Sequence, residues 1–171
     1  MEGPVKPKIL IVGHGRHGKD TVAEMLRDRF GFKFISSSEF VGRVAIWGDI
    51  GHEYYDFDMM FADRINRRAL WKDLIQAYNT PDETRTAREM FGQGYNIYCG
   101  MRRREELLAG KAAGLFDSIW WVDRSLHLPP EGEDSMSILP TDADVFINNN
   151  GTLEDLLSEV FKAMRNEKRT L

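Results

Sequence analysis

The sequence predicts a three-layer α/β domain: a parallel five-stranded sheet flanked on both faces by helices. Three observations carry this expectation. Short apolar runs alternate with longer segments of helical spacing, the arrangement that makes strands parallel and buries both sheet faces. A glycine-rich stretch, Gly13-His14-Gly15-Arg16-His17-Gly18-Lys19-Asp20-Thr21, joins the first apolar run to the first amphipathic segment. Polar and charged residues gather just after the apolar runs, where parallel sheets of this kind meet their ligands.

The elements follow in order. Lys8-Ile9-Leu10-Ile11-Val12 reads as a buried first strand, and residues 19–30 as the first helix, which Gly31 ends. Phe32-Lys33-Phe34-Ile35 is a short second strand. Ser36-Ser37-Ser38-Glu39 then leads into a helix through Phe40, Val41, Val44 and Trp47. Gly48 to Phe57, rich in glycine, aromatics and acids, reads as a loop near a substrate. The spacing of Met59, Met60, Ala62, Ile65, Ala69, Leu70, Leu74, Ile75 and Tyr78 predicts one long helix over 58–78. Pro81 opens another, ending near Gly92 and Gly94. The third strand is Tyr95 to Cys99, and Arg102 to Ala113 is helical. The fourth strand is Ser118 to Val122 and the fifth Ala143 to Ile147. Thr152 to Met164 forms the last helix, with Thr152 or Gly151 at its start. The chain reads as one domain over 1–171, with a helical acceptor-binding insertion around 40–92 and a lid around 124–140.

Bulk properties narrow the classes. A chain of 171 residues with 42% apolar content fits one soluble globular domain with a good core. Its apolar runs are too short to span a membrane, and Met1-Glu2-Gly3-Pro4 lacks the apolar core of a signal peptide. The single cysteine, Cys99, excludes an internal disulfide framework and suits a reducing cytosol. A net charge of −4, from 23 basic and 27 acidic residues, gives no general attraction to nucleic acid. A local basic patch stays compatible with that total.

Strand, glycine loop and helix in succession form a P-loop, the phosphate cradle of P-loop NTPase folds. Gly13, Gly15 and Gly18 let the backbone turn its N–H groups toward an anion, and the helix start adds its own. Lys19 supplies a mobile charge for the outer phosphates of ATP. His14, Arg16 and His17 lie within the loop. Ser or Thr normally follows the lysine and binds magnesium through its hydroxyl; here Asp20 and then Thr21 stand there. Asp20 is a hard oxygen ligand for Mg²⁺, or it is the helix cap while Thr21 contacts phosphate.

Glu39, just past the second strand, is the candidate base for an acceptor hydroxyl. The alternative is that Ser38 caps a helix and Glu39 sits in its first turn. Asp49, Glu53, Asp56, Asp58 and Asp63 are rivals. Arginines come in groups: Arg64, Arg67 and Arg68, the first and last on one helical face; Arg85 and Arg88; Arg102, Arg103 and Arg104. Guanidinium groups suit phosphate oxygens. Arg102 stands first among them, at a strand's carboxyl end, with Arg43 and Arg124 also plausible. Ser36, Ser38, Arg43, Arg64 and Arg102 form the acceptor-binding candidates. Of the aromatics Trp47, Tyr54, Tyr55, Phe57, Phe61 and Trp71, one or two are candidates to stack on a base. No histidine spacing suits zinc.

The loop Gly-x-x-x-x-Gly-Lys-Asp-Thr resembles that of phage deoxynucleoside monophosphate kinases. Trp121-Val122-Asp123-Arg124-Ser125 and Ala143 to Leu153 are similar to late segments of that group and of dephospho-coenzyme A kinases. The resemblance implies that Asn148 to Thr152, with Asn149, Gly151 and Arg124, lies near the adenine of ATP, and that the base falls on Glu39. Gly13 to Glu24 with Ser36-Ser37-Ser38-Glu39-Phe40 resembles, more narrowly, phage kinases that phosphorylate 5-hydroxymethyluracil within DNA. That implies an ATP- and Mg²⁺-dependent kinase in a host cytoplasm, acting in thymine hypermodification. Two departures stand out. The segment matching an arginine-rich lid reads Pro129-Pro130-Glu131-Gly132-Glu133-Asp134, with Arg124 its one candidate lid arginine. Glutamate also replaces aspartate after the second strand. A deoxynucleoside monophosphate kinase acting on free nucleotides is the alternative, and a nucleotide-binding switch without an acceptor comes last. The sequence leaves the oligomeric state open.

Overall fold

A computed structural model describes residues 5–170, with side chains through residue 167. Four parallel strands form the sheet among the described residues: β1 (Ile9–Val12), β2 (Ile97–Cys99), β3 (Ser118–Asp123) and β4 (Val145–Asn148). Their spatial order is β2-β1-β3-β4. Ile9 of the central β1 pairs with Ile97 on one side and Ser118 on the other. All four β1 residues are fully buried, because helices cover both faces.

The two-residue period of a strand divides the core. Ile9, Ile11, Trp120 and Val122 face a layer made by helices α1 (Lys19–Phe30) and α8 (Leu153–Thr170), which contribute Val22, Leu26, Leu156 and Val160. Leu10, Val12, Tyr98 and Trp121 face the opposite layer. That layer holds α2 (Ser37–Val41), α3 (Trp47–Ile50), α4 (Phe57–Asp63), α5 (Arg68–Tyr78), α6 (Arg85–Gly92) and α7 (Arg104–Ala112).

Several expectations need correction. The sheet has four strands, not five: Phe32 to Ile35 makes a single parallel bridge, Phe34 to Ile97. Lys33 donates its N–H to the Asn96 side chain (3.0 Å) instead of a strand, and Ser36 then turns the chain into a helix cap. The stretch 48–57 is not one loop. A five-residue π-helical turn, Gly42–Ile46, links α2 to α3, and a 3₁₀ turn follows at Gly51–Glu53. Burial of Ile46, Ile50 and Gly51 holds this winding against the core.

The long helix expected over 58–78 breaks into α4 and α5. Asn66 donates to the Asp63 carboxylate (2.8 Å), as does the Tyr54 hydroxyl (2.8 Å), so local side-chain bonds displace the helical ones. Arg64 and Arg68 therefore lie on either side of a break rather than on one helical face. After Pro81, the Asp82 carboxylate accepts from the Thr84 N–H and hydroxyl, which delays α6 to Arg85. β3 and β4 are joined by an irregular strap, residues 124–144, with one 3₁₀ turn at Pro140–Asp142. Buried Met136 and Ile138 pin its far end, and Arg104 on α7 grips Asp142 (2.9 Å).

Candidate functional site

The glycine loop leaves β1 at its carboxyl end and enters α1. Gly13 has φ +149°, and a Cβ there would sit 2.5 Å from the Val122 carbonyl oxygen, so only glycine passes under β3. Gly18, at φ +102°, caps α1 without a side-chain bond. Asp20 is thus not the cap. It lies in the first turn, where the Cys99 thiol donates to its Oδ1 at 3.4 Å. Burial first, then the Asp20 carboxylate, push that thiol well above its ordinary range.

Lys19 is half-buried and donates its Nζ to the His14 carbonyl at 2.8 Å. Burial lowers its pKa, so its ammonium gains from any anion brought to the loop. His17 is fully buried; its Nδ1 accepts the Arg124 N–H at 2.9 Å. That leaves the proton on Nε2, 3.4 Å from the Pro129 carbonyl. His14 accepts the Glu131 N–H at Nδ1 (3.1 Å) and meets the Trp121 ring edge-on. Burial and then the neighbouring His17 lower its pKa, in keeping with that acceptor role.

Two clefts flank the loop. One, of about 430 Å³, is lined by Arg16, Gly18, Thr21, Arg124, Asn149 and Gly151, with Leu153 and Leu156 as apolar walls. It is pre-formed by buried contacts. Asn149 donates to the His17 carbonyl (2.8 Å), and Arg124 donates to the Asn149 carbonyl (2.6 Å). Asn150 and Ser125 donate to Asp123; burial alone would raise that carboxyl, but these bonds hold it below its usual value.

The second cleft, about 530 Å³, lies between α1 and α2. Asp20, Glu24, Arg27, Ser36, Glu39 and Arg43 line it, beside Phe34, Ile35 and Tyr95. Ser36, not Ser38, caps α2, accepting the Glu39 N–H at 3.2 Å; Ser38 stands 3.4 Å from Ser36, oxygen to oxygen. Glu39 therefore sits in the first helical turn and also in the cleft. Arg43 donates twice to Glu39 Oε1, at 2.9 and 3.1 Å, with its guanidinium 4.1 Å from the Phe57 ring centre.

Asp20, Ser36, Glu39 and Arg43 thus converge on one side of the loop, and Arg16, Thr21, Arg124, Asn149 and Gly151 on the other. The fold is a parallel α/β sheet between two helical layers. It is similar to the crystal structure of TT1252 from Thermus thermophilus (TM-score 0.54, 20% identity, 94% of this chain and 97% of that one). It is similar as well to shikimate kinase from Bacteroides thetaiotaomicron (TM-score 0.54, 10% identity, 95% of this chain and 98% of that one). No family model matches the chain, and no curated protein matches it.

Two candidates stand elsewhere. Arg64 lies over the Phe61 ring, 3.9 Å from its centre, and donates to the Phe61 carbonyl (2.9 Å), outside both clefts. Arg102 pairs with Glu131 above the glycine loop. The sequence reading missed Glu131, Cys99 and the apolar walls Leu153 and Leu156. Glu131 lies in a segment whose sequence signal is its lack of arginines, and its partners Arg102 and His14 are 29 and 117 residues away in the chain. No helix of the described residues is long and apolar enough to cross a membrane.

Proposed function

We propose that this chain is a kinase that transfers the γ-phosphoryl group of ATP to a hydroxyl, the 5-hydroxymethyl group of a modified uracil in DNA. The observation that supports it is the pair of clefts on opposite sides of one glycine loop, at the carboxyl edge of the sheet. The nucleotide base fits between Arg16, Arg124, Asn149 and Gly151, against Leu153 and Leu156. The triphosphate follows the loop from Gly13 to Thr21, where Lys19 exchanges the His14 carbonyl for phosphate oxygens.

Asp20, exposed with its Oδ1 steadied by Cys99, and Thr21 offer the oxygen donors that Mg²⁺ takes. That ion supplies charge neutralisation on the phosphates. Among the described residues no cluster of three acidic, histidine or cysteine ligands forms, which suits an ion held by one or two protein oxygens and the substrate.

In the other cleft Glu39 takes the acceptor proton. Arg43 already occupies Oε1, so Oε2 is the oxygen available for it. The acceptor oxygen bonds to the γ-phosphorus as the bond to the β–γ bridging oxygen breaks, and ADP leaves with that electron pair. Ser36 and Ser38 offer hydroxyls to orient the acceptor. Arg102 and Arg64 contact acceptor phosphates in this reading only if they leave their present partners.

A free deoxynucleoside monophosphate is the second acceptor reading. The cleft's charged lining is three carboxylates, Asp20, Glu24 and Glu39, against Arg27 and Arg43, two guanidinium groups for a single phosphate. That balance makes no basic track for a nucleic acid backbone. The kinase reading is tested with Lys19→Ala. Phosphoryl transfer to every acceptor should fall by about 10² or more, the scale of a lost preorganised charge contact. Full activity in that variant would overturn it.

A further inference from the structure

We propose that Glu131 is a built-in anion, seated at the outer end of the phosphate cradle, that an incoming triphosphate displaces while Arg102 passes from Glu131 to the outermost phosphoryl group. This rests on the kinase reading above and adds regulation of the same site.

The contacts of Glu131 are those an outer phosphoryl group would need. Its carboxylate lies against Gly15, where a Cβ would fall on its Oε1. Arg102 Nη1 pairs with its Oε2. Burial pushes this carboxyl up, but the Arg102 bond and the Arg102 and Lys19 charges hold it below its usual range. The loop's own histidines hold the strap in place. His14 accepts the Glu131 N–H, and His17 engages Arg124 and Pro129 on the same strap. The strap is anchored on both sides of Glu131, by Arg124 at the base cleft and by buried Met136. Gly132 lies between, so Glu131 can lift without releasing either anchor.

A carboxylate and a phosphoryl group cannot share this space. Both need the space against Gly15 and the Arg102 fork, and like charges at contact repel. Seating Glu131 therefore competes with the triphosphate, and the apparent affinity falls by the fraction of molecules in which the strap is up. The chain places an acid where a lid would bring arginines. Arg102, freed by the exchange, then supplies the missing guanidinium from the end of β2.

The test is calorimetric titration of the wild-type chain, Glu131→Gln and Glu131→Ala with MgATP, MgADP and AMP. Both variants should bind MgATP about tenfold more tightly, about 1.4 kcal/mol, with a smaller gain for MgADP and none for AMP. In the wild-type chain, saturating MgATP should speed hydrogen exchange at the Glu131 amide, which loses its His14 acceptor. MgATP affinity that is unchanged or weaker in both variants, or a Glu131 amide that stays protected, would overturn the proposal while leaving the kinase reading standing. If no form binds any of the three nucleotides, the kinase reading fails and this proposal with it.

Discussion

At the residue scale, Asn149 ties together the two ends of the cleft that Arg16, Arg124 and Gly151 line. It is buried, its amide holds the His17 carbonyl at 2.8 Å, and its own carbonyl receives Arg124. Asn149→Ala strands a buried carbonyl, at a cost of about 1–3 kcal/mol. The thermal midpoint followed by circular dichroism should fall by roughly 2–4 °C for each kcal/mol lost in a chain of this size. An unchanged midpoint would contradict the contact. The succession of strand, glycine loop and helix around Gly13, Gly18 and Lys19 was legible in the sequence, because few residue types fit its backbone geometry; Asn149 beside it was reached only through a resemblance. Glu131 was not legible. Several acids crowd residues 131–134, and only the folded strap shows which one meets Gly15.

At the element scale, the π-helical turn Gly42–Ile46 carries Arg43 beside Glu39 and packs against α4 and α5. A Cβ on Gly42 would lie 3.0 Å from Trp71 and 3.3 Å from Phe57, both in the core layer. Gly42→Ala should therefore overpack this contact by about 1–3 kcal/mol, seen as a lower urea midpoint at unchanged slope. A variant as stable as the parent would show that Trp71 can retreat. Apolar spacing located most helices here but not their breaks. Those come from the polar bonds of Asp63, Asn66, Asp82 and Thr84, which compete with helical ones over a few residues. The second strand failed for a similar reason: the Asn96 side chain takes the Lys33 N–H, and one bridge remains.

At the scale of the whole molecule, the parallel sheet and its two helical layers were legible from alternating apolar runs and helical segments. The cleft between α1 and α2 was legible in part: Ser36, Glu39 and Arg43 were candidates from the sequence, but the walls around them depend on how residues 37–92 fold over one face of the sheet. The resulting cleft combines Glu39 and Arg43, an i,i+4 pair on one helical winding, with Asp20 from α1. In the proposed function this cleft and the one lined by Arg124 and Asn149 face one glycine loop and exchange a phosphoryl group. The most direct measurement offers the chain γ-labelled ATP and Mg²⁺ with DNA containing 5-hydroxymethyluracil, with unmodified DNA and with the four deoxynucleoside monophosphates. Label should appear on the modified DNA and be lost in Lys19→Ala. Label on a free monophosphate alone would move the acceptor to the second reading, and label on none of them, with ATP bound, would contradict the kinase claim.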